Sequence, residues 1–319
     1  MISSNAGAAA VTVTRSRLRP LLRLVAIAAC VPYLCLKLAW IGGSRVGVPD
    51  GSPLLEQRVT MAIANGLTVL MDAGVIVLAL LLTRPWGLRV PAWLLAVPMW
   101  VATGLLAPIM VGFPLQLAVH GGEQGGDDRP FLAGWVFGVV YGGFIAQGLA
   151  LGALFVGYTR ERWGHLWRGR VWELPAQSTA AAQRLTAVSA AVLALLPAAL
   201  RLLWAFGSTA GRNTSDGRLT EAVFVVFLAA AVTGACRLAF RRGRPLPVSA
   251  PLALAWVGSA AVACWGAWMA LAALVTSHDL GERPTPAMSL TYAVQMIVGL
   301  LVATVIAHHF ADRSARAPR

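Results

Sequence analysis

Asp72 is an acidic residue near the centre of a long apolar run, between TVLM and AGVIVLALLL. A carboxylate at the centre of a bilayer costs about 2.5–3.5 kcal/mol on insertion scales, so such residues usually face a polar interior and mark function. Asn65, Thr68 and Asp72 follow the spacing i, i+3, i+7, which places them on one face of a helix. The stripe predicts Asp72 as a catalytic residue and Asn65 as a substrate-binding residue. The alternative is a hydrogen bond or ion pair that holds helices together.

Two cations lie at matching places in apolar runs, in the segments PYLCLKLAWIGGS (32–44) and PAALRLLWAFGS (197–208). Lys37 aligns with Arg201 and Trp40 with Trp204. We predict that all four bind substrate, with the cations forming the floor of an outward-facing pocket or pairing with an acid. The alternative for the cations is snorkelling, in which long side chains lift their charge to the interface.

Glu221 is the second catalytic candidate, because it begins an apolar run near the outer surface and could restore a proton to Asp72. Its alternative role is a solvated cap, favoured by the helix N-terminus. Tyr141 and Tyr292 are predicted to bind substrate through their aromatic faces. No zinc, nucleotide, haem or dinucleotide motif occurs in the sequence, so we predict no metal and no cofactor.

The elements that must position these residues are membrane spans. Hydrophobic residues make up 58% of the 319 and charged residues only 12%, whereas a soluble domain has about 25% charged residues. A helix of about 20 apolar residues crosses the bilayer core. Eight runs have this length, roughly 21–42, 60–83, 91–113, 131–158, 184–206, 219–240, 249–275 and 287–308. We therefore predict an all-α, polytopic integral membrane protein with about eight transmembrane helices.

The net charge is +13, and the basic residues are distributed as membrane topology predicts. If the N-terminus is cytoplasmic, cytoplasmic segments hold 18 of the 26 Lys and Arg residues and the opposite loops hold six, apart from the two cations in spans. This is the positive-inside bias. It predicts an N-in/C-in protein of the bacterial inner (cell) membrane, with membrane lipid and not nucleic acid as its partner.

Matching segments in the two halves predict a parallel 4+4 tandem repeat. Besides the matching cations, Tyr141 and Gly148 are spaced like Tyr292 and Gly299. Parallel repeats pack about an axis along the membrane normal, and sites form near their interface. The predicted division is a disordered cytoplasmic tail (1–14), a first four-helix repeat (15–158), a cytoplasmic interfacial connector (159–183), a second repeat (184–310) and a cytoplasmic tail (311–319).

Three functions fit these features. The first is a membrane enzyme that acts on a hydrophobic, lipid-like or isoprenoid substrate, with Asp72 as general acid and aromatic rings stabilising a carbocation. The second is a proton-coupled transporter of a small solute. The third is a non-catalytic scaffold whose Ala and Gly residues pack helices. Asp72 aligns with Val232 in the other half, and this asymmetry favours catalysis.

Three segments, PYLCLKLAWIGG, LTRPWGLRVPAWLLAVPMWVATGLLAP and VVYGGFIAQG, resemble a group of actinobacterial multi-pass membrane proteins without an assigned function. The resemblance covers about half of the chain. More loosely, the pattern of the chain is similar to bacterial integral-membrane terpene cyclases, which are small helical proteins that use embedded acids. That resemblance implies an isomerase or lyase acting on isoprenoids, and it transfers no catalytic residue to this chain.

Overall fold

The computed structural model describes residues 4–49, 52, 58–120, 132–171, 179–212, 217–241, 246–275 and 283–315, and these are mostly helical. The helices are α1 (Ser4–Ile41), α2 (Arg58–Thr83), α3 (Ala92–His120), α4 (Gly134–Arg162), α5 (Gly164–Trp167), α6 (Ala180–Ala205), α7 (Arg218–Phe240), α8 (Ser249–Val275) and α9 (Pro286–Ser314). A 3-10 helix covers Pro85–Arg89. All except α5 and the 3-10 helix are long and apolar enough to cross a membrane, so the predicted all-α fold with eight spans is confirmed.

The chain forms two compact units, one of residues 1–99 and 124–162, the other of residues 100–123 and 163–319. This division differs from the predicted repeats in that most of α3 belongs to the second unit. The repeat, the domain boundaries and the N-in/C-in topology stay predictions.

In the first unit, α1 packs against α2 and α4, and α2 also contacts α4. The approach of α4 to α1 is close at Gly143, where a Cβ would lie 3.0 Å from the carbonyl oxygen of Ala29. At the other end of α4, the Tyr158 hydroxyl and the Arg162 guanidinium donate to backbone oxygens of the turn between α2 and α3. These contacts fix the three helices that carry the first set of polar residues.

In the second unit, α6 packs against α7 and α9, α7 also contacts α9, and α8 packs on both of them. Glycines bring backbones together at these crossings, as small residues do in membrane helix pairs. A Cβ on Gly258 of α8 would lie 2.7 Å from the Phe227 oxygen of α7, and one on Gly299 of α9 would lie 2.6 Å from the Ser259 oxygen of α8. Each unit therefore contains three helices that all contact one another. They are α1, α2 and α4 in the first unit and α6, α7 and α9 in the second.

The helices α1 and α6 end in the same turn. Ser44 N donates to Ala39 O and Gly43 N to Trp40 O, while Ser208 N donates to Leu203 O and Gly207 N to Trp204 O. Both glycines have a left-handed conformation, with φ of 88° and 92°. This is a Schellman helix end, in which the glycine avoids the strain that a Cβ would bring. Each predicted cation lies about one helical turn before the last residue of its helix.

Candidate functional site

The first unit contains a polar cluster in its interior, which we call the first-unit polar cluster. It consists of Tyr33 and Lys37 of α1, Asn65, Thr68 and Asp72 of α2, and Gln147 of α4. Asn65, Asp72 and Gln147 are 2%, 4% and 1% exposed. These three side chains therefore lie in the interior of this unit.

Lys37 lies at one end of the cluster. Its Nζ donates to Asn65 Oδ1 at 2.9 Å and lies 4.9 Å from the ring centroids of both Tyr33 and Trp40. An ammonium group at this distance from an aromatic face is attracted by the ring quadrupole. The charge of Lys37 is thus held by one neutral amide and two aromatic rings.

Asp72 lies deeper, two helical turns along α2 from Asn65. Gln147 of α4 is its side-chain hydrogen-bond partner, and the charge of Lys37 acts on its carboxylate. Its Oδ2 has no hydrogen-bond partner among the residues that the structure describes. A buried carboxylate with an oxygen left over is a costly arrangement, so this oxygen is available to a proton or a ligand.

Aromatic side chains border the cluster along α1 and α4. The rings of Tyr33 and Phe144 meet edge to face with centroids 5.0 Å apart, and Tyr141 lies 6.4 Å from Phe144. Tyr33 also hydrogen-bonds to Thr68 and lies close enough to Asp72 for the charge of that carboxylate to act on it. Tyr33, Phe144 and Tyr141 thus form a row of aromatic rings beside the polar groups, which we call the aromatic wall.

The second unit has its own cluster, which we call the second-unit charge cluster and define as Arg201, Arg212, Glu221 and Gln295. Arg201 Nη1 lies 2.5 Å from Glu221 Oε2, and Arg212 Nη2 lies 3.5 Å from Glu221 Oε1. The Nε and Nη2 of Arg201 donate to Gln295 Oε1 at 3.0 and 2.6 Å. The cluster joins α6, α7, α9 and the turn after α6.

Aromatic rings support both arginines of this cluster. The Arg201 guanidinium lies 4.4 Å from the ring centroid of Phe224, and that of Arg212 lies 5.8 Å from Trp204. Tyr292, one turn before Gln295 on α9, is close enough for the charges of Arg201, Glu221 and Arg212 to act on its hydroxyl. Both arginine cations therefore lie within reach of an aromatic ring.

Trp40 and Trp204 hold matching loops. Trp40 Nε1 donates to Val46 O at 2.8 Å, and Trp204 Nε1 donates to Ala210 O at 3.0 Å, six residues downstream in each case. Gly47 and Gly211, which follow these acceptors, both have positive φ. Each indole therefore holds the loop that follows its helix. That the two tryptophans bind substrate stays a prediction.

The predicted site residues fall into two groups. Lys37, Trp40, Asn65, Asp72 and Tyr141 lie in the first unit, and Arg201, Trp204, Glu221 and Tyr292 lie in the second. The structure adds residues that were not predicted as site residues: Tyr33, Thr68, Gln147, Arg212 and Gln295. For the two glutamines, an amide in an otherwise apolar span was a signal. Arg212 gave no such signal, because it follows its helix in a loop that the sequence predicts to be outside the membrane.

Comparisons of the chain with protein families, with curated proteins and with solved structures find no match.

Proposed function

We propose that this protein is a proton-coupled membrane transporter in which Asp72 carries the proton. The observation that supports this most is the Oδ2 of Asp72, which is buried within α2 and has no partner in the described ranges. A scaffold gains nothing from a partly satisfied buried carboxylate. A carrier does, because a proton can bind and leave there without any ion pair being broken first.

Protonation of Asp72 would change the electrostatic attraction on Lys37. The charges of Asp72 and Lys37 act on each other, yet Lys37 donates to the neutral Asn65. Protonation of Asp72 removes the attraction that pulls Lys37 deeper, and deprotonation restores it. A change in the position of Lys37 between α1 and α2 is then coupled to the proton, which is what a carrier requires.

The second candidate is the acid-catalysing membrane enzyme with a hydrophobic substrate. The aromatic wall of Tyr33, Tyr141 and Phe144 favours it, because aromatic faces stabilise carbocations. Two observations weigh against it. The rings of Tyr33 and Trp40 already face the Lys37 ammonium, which repels a second cation. In addition, both oxygens of Glu221 are engaged by arginines, so Glu221 is poorly placed to return a proton.

Untargeted metabolite profiling of cells and medium separates the candidates. A bacterial host expresses the wild type, Asp72→Asn or Glu161→Gln, each with and without a protonophore. The Glu161 control removes an exposed carboxylate that pairs with Arg19. Transport predicts that an unaltered compound redistributes between cells and medium in the wild type and the control, but not with Asp72→Asn or with protonophore. A new compound that depends on Asp72 supports the enzyme, and no difference anywhere refutes both.

A further inference from the structure

We propose that the second-unit charge cluster binds the oxyanion group of a ligand, a carboxylate or a phosphate. The proposal goes beyond proton transport and does not depend on it. It rests on a surplus of buried hydrogen-bond donors around Arg201 and Gln295. Arg201 is 3% exposed and Gln295 is 0% exposed, so water at the protein surface does not satisfy these donors.

The orientation of the Gln295 amide follows from Arg201. A guanidinium can only donate hydrogen bonds, and two of its nitrogens lie within 3.0 Å of the same atom of Gln295. That atom must be the amide oxygen, since an amide nitrogen there would set donor against donor. The group of Gln295 that remains is consequently its amide nitrogen, Nε2, which is buried and has no partner in the part of the chain that the structure describes.

Each acceptor oxygen in the cluster already faces at least one donor. A guanidinium carries five N–H donors and a primary amide carries two, but Arg201 makes three hydrogen bonds, to Gln295 and Glu221. The Gln295 oxygen receives two of them, and each oxygen of Glu221 faces an arginine. The cluster therefore has donors left over, and a group that only accepts hydrogen bonds completes it.

The cationic groups favour an anionic acceptor. The Arg201 guanidinium lies beside the ring of Phe224, and a guanidinium suits bidentate contacts to carboxylate or phosphate. Arg212, beside the ring of Trp204, adds a second positive charge. The Tyr292 hydroxyl lies near the same charges and can add one more donor. A free solute and the phosphate of a lipid headgroup share this chemistry, so the test has an arm for each source.

Isothermal titration of the purified full-length protein in detergent, at constant ionic strength, tests the solute arm with inorganic phosphate and succinate. The lipid arm compares the melting temperature in micelles of a phosphate-free maltoside detergent with that after phosphatidylglycerol is added. The key variant is Gln295→Glu, which has the same shape and keeps the acceptor for Arg201. It replaces the unpartnered donor with a charged acceptor. We expect it to weaken anion binding by about tenfold or more, as loss of a hydrogen bond to a charged group does.

Gln177→Glu is the matched control, since it makes the same substitution in the predicted connector. Tyr292→Phe is a second variant, which keeps the ring and is expected to weaken binding severalfold, so the test survives if Gln295→Glu does not fold. Saturable binding of phosphate or succinate, lost in Gln295→Glu and kept in the control, identifies a soluble ligand. Stabilisation by phosphatidylglycerol alone, with the same variant pattern, identifies a lipid. Absence of both effects in the wild type, or equal effects in all variants, overturns the proposal.

Discussion

Lys37 and Arg201 occupy matching positions, each three residues before a tryptophan in the last turn of its helix, but their hydrogen-bond partners differ in charge. Lys37 donates to the neutral Asn65 at 2.9 Å, whereas Arg201 forms an ion pair with Glu221 at 2.5 Å. The charge of Arg201 is thus balanced by a carboxylate in direct contact, whereas Lys37 has no such counter-charge in its hydrogen bond. This difference favours a structural role for the Arg201–Glu221 pair and a changing role for Lys37.

Loss of Arg201 is expected to destabilise the protein far more than loss of Lys37. Arg201→Met leaves Glu221 buried with one fewer cation, and breaking such a pair typically costs about 3–5 kcal/mol. Lys37→Met removes a half-buried charge whose partner is an amide, with a cost of about 1 kcal/mol. Unfolding by sodium dodecyl sulfate in mixed micelles measures both. Arg201→Met/Glu221→Leu should recover part of the loss, and equal effects of the two single substitutions would contradict this assignment.

Alanine at the two turn glycines is expected to be destabilising to a similar degree. Both need φ near 90°, where a Cβ costs about 1–2 kcal/mol. Around Gly43 a Cβ meets nothing within 4 Å, and at Gly207 it would lie 2.8 Å from Cζ of Arg218, at the far end of an exposed and flexible side chain that can move aside. Gly207→Ala and Gly43→Ala should therefore lower the free energy of unfolding by similar amounts. Gly138→Ala, in the open face of α4, serves as the control and should be neutral or stabilising.

The positive-inside bias predicts where reporter fusions are active. A phosphatase that requires export, fused after Arg162 or at the C-terminus, should be inactive, and one fused after Gly47 should be active. A fluorescent protein at the C-terminus should give the complementary result. Phosphatase activity at the C-terminal fusion would show that the predicted orientation is wrong.

The sequence predicted the helices well because apolar length alone marks a membrane span. It also predicted that Asn65 and Asp72 share a face, since that depends only on helical spacing. The Schellman ends of α1 and α6 follow from a glycine after the last apolar turn, Gly43 and Gly207. The matching hydrogen bonds around them favour the predicted repeat.

Contacts between helices could not be predicted in the same way. The lipid and the interior are both apolar, so the sequence of α4 does not reveal which face turns inward, and Gln147 could not be assigned to Asp72. Arg212 was counted with the outer loops because its burial depends on the loop that Trp204 holds back through Ala210. Glu221 was predicted as a catalytic acid because the contacts of Arg201 and Arg212 with it are tertiary.

Asp72→Asn is expected to abolish transport without destabilising the fold. The substitution keeps the size of the side chain and an acceptor for Gln147, and it removes the cost of a buried charge with an unpartnered oxygen. The free energy of unfolding should stay the same or rise by about 1 kcal/mol, as at functional sites that trade stability for activity. Glu221→Gln is the contrasting variant, because it weakens contacts to two arginines and should cost about 3 kcal/mol. Mixed-micelle unfolding of both variants decides between the two roles of Asp72. If Asp72→Asn lowers the free energy of unfolding by several kcal/mol, the role of this carboxylate is to hold helices together, and the proton site lies elsewhere.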